Sequence, residues 1–135
     1  MKHTTLAILA GLCATIAQAA TPAELLAGYR AEAVRQIPAF QPDARRGAEF
    51  FARRFGVSEK MPACAACHME NPAQAGRHVV TDKAIKPLAP AANDRRLTEL
   101  AKTEKWFGRN CKEVVGRECS AAEKADFVAF LMEVR

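Results

Sequence analysis

Residues 64–68 read Cys-Ala-Ala-Cys-His, and no other stretch of the 135-residue chain limits its fold as tightly. Two residues between the cysteines put both sulfurs on one turn of backbone, and the histidine follows at once. This is the spacing that attaches a haem through its two vinyl groups and sets an imidazole beneath the iron as proximal ligand. Two other readings compete with it. A thioredoxin-like redox pair needs a strand ahead of Cys64 and a βαβ pattern, and the sequence offers neither. A zinc site needs a second Cys/His pair at finger-like spacing, which is also missing. The motif occurs once, so Cys64, Cys67 and His68 imply one covalently bound haem c.

Haem attachment of this kind belongs to an exported protein, and the first twenty residues carry an export signal. They have a Lys/His-bearing start, an apolar middle from Leu6 to Ile16, and the small-residue exit Ala17-Gln18-Ala19-Ala20. The apolar run is too short for about 30 Å of hydrocarbon, so no membrane anchor is expected. Cys13 follows the bulky Leu12 and is read as part of the discarded signal. The expected organisation is a cleaved signal over residues 1–20 and a single haem domain over 21–135, located in the periplasm. Losing Lys2 leaves 19 Lys+Arg against 15 Asp+Glu, a charge near +4 before haem propionates lower it. Such a balance suits an acidic partner and, without a concentrated basic motif, does not point to nucleic acid.

The flanks read as helices. Thr21-Pro22-Ala23-Glu24 is a capping box with proline at the first helical position. Behind it Leu26, Tyr29, Ala33 and Ile37 share a face until Pro38 stops the run. A second helix starts after Pro42, with Ala44, Ala48, Phe51 and Phe55 as its stripe. Gly47 beside that stripe permits close approach of another backbone, and Arg45, Arg46, Glu49, Arg53 and Arg54 turn largely to water. A third helix is expected from about Thr98 to Val115, with Leu100, Phe107 and Val114 inward and Gly116 ending it. The last begins at the capping box Ser120-Ala121-Ala122-Glu123 and buries Phe127, Val128, Leu131 and Val134. Residues 71–95, rich in proline, form a long loop around the haem edge. The sum is an all-α chain that resembles the class I cytochrome c arrangement. Cys111 and Cys119 flank the Gly116 turn, so a bridge between them would tie helix to helix; two free thiols are the alternative.

The sixth iron ligand is harder to read. Met61 and Met69 sit beside the proximal motif, Met132 lies in an apolar helical face, and His78 lies in a polar segment. None stands in a downstream loop suited to reach the distal face. Taken alone, Asn110 reads as a helix-surface or near-cap amide. Trp106, one turn earlier, fits either a distal pocket or the core, and Arg109 either a propionate or water.

A longer resemblance bears on this point. The stretch Glu104-Lys105-Trp106-Phe107-Gly108-Arg109-Asn110-Cys111 continues to Val114-Val115-Gly116-Arg117-Glu118-Cys119 and Glu123-Lys124-Ala125-Asp126. Together with the start Pro22-Ala23-Glu24-Leu25-Leu26-Ala27-Gly28-Tyr29, it closely resembles the sphaeroides haem protein family across the whole chain after the signal. The resemblance implies one haem on a class I-like fold, with His68 proximal, Asn110 as the distal ligand and Cys111 and Cys119 as the disulfide. It further implies that Asn110 holds ferric iron and leaves on reduction, and that oxygen and nitric oxide bind there. A dihaem cytochrome c, or another redox protein, is the implied electron donor. Met69 departs from the family, where a small residue is more usual.

Three functions follow as expectations. The first is an electron-accepting protein that binds a diatomic ligand at a redox-gated iron. The second is a simple periplasmic electron carrier, in which Asn110 only tunes the potential. The third is a gas sensor, disfavoured by the lack of an attached signalling domain.

Overall fold

The computed structural model describes residues 19–135, so nearly all of the expected export signal, with Cys13, lies outside the described residues. Helix α1 (Pro22–Gln36) begins as the capping box requires. The Thr21 hydroxyl accepts the Glu24 N–H at 3.2 Å, and the Glu24 carboxylate accepts the Thr21 N–H at 2.7 Å. Leu25, Tyr29 and Ala33 form its buried face. Ile37, expected on that face, is 48% exposed because the chain leaves the helix there.

Helix α2 (Ala44–Ala52) is capped by Asp43, whose carboxylate accepts the Arg46 N–H at 3.0 Å. It is shorter than the stripe implied: Phe50 and Phe51 carry the buried face, while Phe55 packs from beyond the helix end. Its main partner is the last helix, α5 (Ala121–Glu133), which also covers α1. The α2–α5 crossing depends on Gly47. A Cβ there would lie 2.0 Å from the Asp126 carbonyl oxygen, so only glycine lets the backbones meet. Beside it the buried Asp126 carboxylate accepts the Asp43 N–H at 2.7 Å and the Arg46 Nε–H at 2.7 Å. Arg46 stays 45% exposed, as the sequence implied, while its guanidinium also joins the two helices.

The predicted helix over 98–115 divides in two. Helix α4 (Leu100–Asn110) is followed by a π turn, Cys111–Val115. Gly116, at φ 81°, closes it by donating its N–H to the Cys111 carbonyl at 3.0 Å. Leu100, expected inward, is 55% exposed. Glu104 anchors α4 from both sides. The Tyr29 hydroxyl donates to it at 2.6 Å, and the Lys124 ammonium donates at 2.7 Å.

Between α2 and α4 lie a single-turn helix, α3 (Ala65–His68), and a small antiparallel hairpin. In the hairpin β1 (Gly76–Arg77) faces β2 (Ala84–Ile85), with Gly76 opposite Ile85 and Arg77 opposite Ala84. The rest of residues 71–95 is loop and turn, as expected of a segment that wraps a prosthetic group.

Two apolar clusters fill the interior. One joins Leu25, Tyr29, Ala33 and Phe40 to Ala125 and Val128, with Met132 packed against it. The other gathers Phe50, Phe51, Phe127 and Leu131 around Cys111 and Cys119. The architecture is a class I cytochrome c-like helical fold with a disulfide between its last two helical segments.

Candidate haem site

Helix α3 presents the Cys-Ala-Ala-Cys-His motif on one turn, closed by the His68 N–H donating to the Cys64 carbonyl at 3.1 Å. Cys64 and Cys67 are both free thiols, and both are half-buried. Cys64 and Ala65 pack on the second apolar cluster, beside Leu88, Leu97 and Phe107. The motif therefore opens onto the cluster that also receives α4.

Burial sets the chemistry of the side chains. It pushes the Cys64 thiol up to about 11, aided by the neighbouring Cys67, so this sulfur stays protonated at neutral pH. Burial first, then the charges of Arg96 and His78, pushes the His68 imidazole down to about 4. The ring is neutral at physiological pH and keeps a lone pair for a metal.

The hairpin backs this turn closely. A Cβ on Gly76 would fall 2.1 Å from the Cys67 carbonyl oxygen, so β1 can lie on α3 only as glycine. The Val79 N–H reaches the Cys67 sulfur at 3.5 Å. His78 acts locally, its Nδ1 accepting the N–H groups of Val80 and Thr81 at 3.2 and 3.3 Å. That fixes the hairpin tip.

Asn110 stands where α4 changes into the π turn. Its neighbours Phe107 and Cys111 both belong to the cluster that holds Cys64. The Asn110 side chain is half-buried and makes no hydrogen bond to another described residue. Cys111 is joined to Cys119, eight residues on, with Cα atoms 5.7 Å apart, an ordinary disulfide span. Short π segments recur at functional sites because they reset which side chains face a pocket.

Trp106 is 43% exposed, with the Arg109 guanidinium 5.9 Å over its ring, so it is not a core residue. Arg109 itself pairs with Glu113 at 3.0 Å. A cleft of about 690 Å³ involves Tyr29, Glu104 and Lys124 but none of the motif residues.

The donor set fits a c-type haem: two free thiols and a neutral imidazole lie on one turn that packs through Cys64 and Ala65 on an apolar cluster, and α4, which ends at Asn110, joins the same cluster through Phe107. Sequence reading missed two residues at this site. Gly76 is signalled only as a glycine eight residues past the histidine, and Arg96 only as the second of two adjacent arginines in a loop.

Comparison with known proteins agrees with this. Residues 38–131 match the family model described as domain of unknown function DUF1924. The chain is 44% identical over 126 residues to cytochrome c-type protein SHP of Cereibacter sphaeroides, covering 93% of this chain and 92% of that protein. A solved structure of oxidised SHP, described as an oxygen binding cytochrome c, superposes with a TM-score of 0.76 at 42% identity, covering 84% of this chain and 96% of SHP. The solution structure of Methylophilus methylotrophus cytochrome c'', described as giving insights into haem-ligand detachment, follows with a TM-score of 0.71 at 38% identity, covering 83% and 92%. With identity of this order over nearly the full length of both chains, the protein belongs to the SHP family of c-type cytochromes.

Proposed function

We propose that the chain is a periplasmic cytochrome that holds one covalent haem c and accepts electrons from a redox protein such as a dihaem cytochrome c. It binds oxygen or nitric oxide at an iron that Asn110 vacates on reduction. The observation that carries this reading is that the α3 turn, through Cys64 and Ala65, and the α4–π junction, through Phe107 and Cys111, pack on one apolar cluster, with two free thiols and a buried imidazole on that turn. The oxygen binding described for SHP and the ligand detachment described for cytochrome c'' support it.

Cys64 and Cys67 would hold the haem through thioether bonds, and the neutral His68 would supply a nitrogen ligand to its iron. Bound haem supplies an iron that exchanges one electron and offers a coordination position to a diatomic ligand. The chain's own contribution is to control that position. The Asn110 amide oxygen is a harder, weaker donor than a thioether or imidazole, and so prefers ferric to ferrous iron. The Cys111–Cys119 bridge fixes the backbone next to it, while the Asn110 side chain keeps its own rotamers.

Absorption spectra of the holoprotein, oxidised, reduced, and reduced under carbon monoxide, test the proposal together with Asn110→Ala. The wild type is expected to be six-coordinate when ferric, then high-spin when ferrous and promptly shifted by the gas. Asn110→Ala is expected to lose the ferric sixth protein ligand. A low-spin ferrous spectrum unmoved by carbon monoxide would overturn the gated site and leave a simple electron carrier.

A further inference from the structure

Among the described residues, only two lysine or arginine side chains are partly withdrawn from water, Lys124 and Arg96. Lys124 has a carboxylate, Glu104, at 2.7 Å. Arg96 has none within ion-pair distance among the described residues, and it is held in place by neutral groups instead. Its Nε–H donates to the Pro87 carbonyl at 2.8 Å, and its Nη2 donates to the Lys86 carbonyl at 2.9 Å. Asn93 Nδ2 shares the Pro87 carbonyl at 3.0 Å, so the acceptor is itself fixed.

That stretch of loop is tied to the haem motif. The Leu88 and Ala89 N–H groups donate to the Pro72 carbonyl, four residues past His68, at 2.8 and 3.0 Å. Leu88 packs on the same cluster as Cys64, and so does Leu97, next to Arg96. The guanidinium is close enough to His68 for its charge to oppose protonation of that ring. Burial also disfavours the charge on Arg96 itself.

A guanidinium has five N–H donors in a planar fork. Two carbonyls use part of that fork and orient it, but supply no countercharge. A cation partly removed from water without an anion is a cost that a fold seldom carries for nothing. Arg109, the other candidate raised by the sequence, is already paired with Glu113 and stacked on Trp106.

We propose that Arg96 binds a haem propionate, its fork preset by the Pro87 and Lys86 carbonyls so that the propionate carboxylate supplies the missing countercharge. The inference rests on the haem reading above and adds a residue that sets the redox potential. Positive charge held beside the haem favours the ferrous state, and pairing keeps the carboxylate ionised across the working pH range.

The test begins with haem content by the alkaline pyridine spectrum. A wild-type chain expressed with the maturation machinery yet free of haem would sink the haem reading, whatever Arg96 does. The midpoint potentials of haem-loaded wild type, Arg96→Gln, Arg96→Lys and Arg95→Gln are then titrated against pH. Arg95 is the exposed neighbour and removes the same formal charge. Arg96→Gln is expected to move the one-electron equilibrium about tenfold toward the ferric form, about 59 mV, while Arg95→Gln stays at the wild-type value. Arg96→Gln should also gain a pH slope between about 4 and 7, as the unpaired carboxylate titrates. A purely structural role would lower the potential without adding that slope. Arg96→Gln at the wild-type potential, shifted no further than Arg95→Gln, or lacking the slope would overturn the proposal. If Arg96→Gln does not load haem, Arg96→Lys, which keeps the charge but not the preset fork, decides: a new pH slope between about 4 and 7 supports the proposal, and a profile parallel to wild type overturns it.

Discussion

Met69 follows the proximal histidine with φ 64° and ψ 162°, a region populated almost only by glycine. Such a residue costs of order 1–3 kcal/mol in backbone strain, here in exchange for a sharp exit from α3. The Met69 side chain, 44% exposed, gives little burial back. Met69→Gly is therefore expected to stabilise the holoprotein by about 1 kcal/mol, net of the extra freedom glycine adds to the unfolded chain. A denaturant midpoint no higher than wild type would show that the side chain packs on the haem instead. The sequence marked Met69 as unusual but not as strained, because φ depends on where the hairpin pulls the chain. Asn110 is legible only through the longer resemblance, for a related reason. Nothing local separates it from a surface amide, and its significance came from the longer motif around it and then from its place at the α4–π junction.

At the level of elements, the starts of the two capping-box helices were legible to the residue, whereas α4 begins at Leu100 rather than near Thr98. Thr21 and Ser120 both cap as their boxes specify, because capping is decided within four residues. Ser120→Ala is expected to cost about 1 kcal/mol. Glu123 adds a pH dependence. The Arg117 hydrogen bond is the main cause that holds its carboxyl below the usual value of 4.5, with the Ser120 contacts helping and burial opposing. A depressed folded pKa contributes stability above the ordinary carboxylate range and loses it as pH falls through the folded pKa. Glu123→Gln should thus be less stable than wild type at pH 7 and converge with it in acid, which urea midpoints at several pH values would reveal. Element ends were less legible. The π turn closes with the Gly116 N–H on the Cys111 carbonyl five residues back, and Gly116 ends a helix equally well in an ordinary α C-cap, so the local sequence does not separate the two. The hairpin over 76–85 has only two residues per strand, too few for an alternating pattern to register.

For the whole molecule, two constraints hold the frame on which the site is built. The first is the α2–α5 crossing. Gly47→Ala would drive a methyl into the Asp126 carbonyl and within 2.8 Å of the Phe130 Cβ, both on a helix that cannot recede without losing its contact with α1. A loss of about 3 kcal/mol is expected, with a lower yield of haem-loaded protein. The second is the Cys111–Cys119 bridge. Closing a loop with a sequence separation of 8 removes unfolded-state entropy worth about 2–3 kcal/mol. Both sulfurs also sit in the apolar cluster, so serine at these positions would bring hydroxyls into it as well. Cys111→Ala/Cys119→Ala isolates the constraint and is expected to lower the denaturant midpoint by that amount. It should also broaden the ferric spectrum, because Asn110 is covalently next to the released residue and its backbone is then held only by the π turn. A destabilised variant with an unchanged ferric spectrum would show that the bridge serves the fold alone and that α4 positions Asn110 unaided.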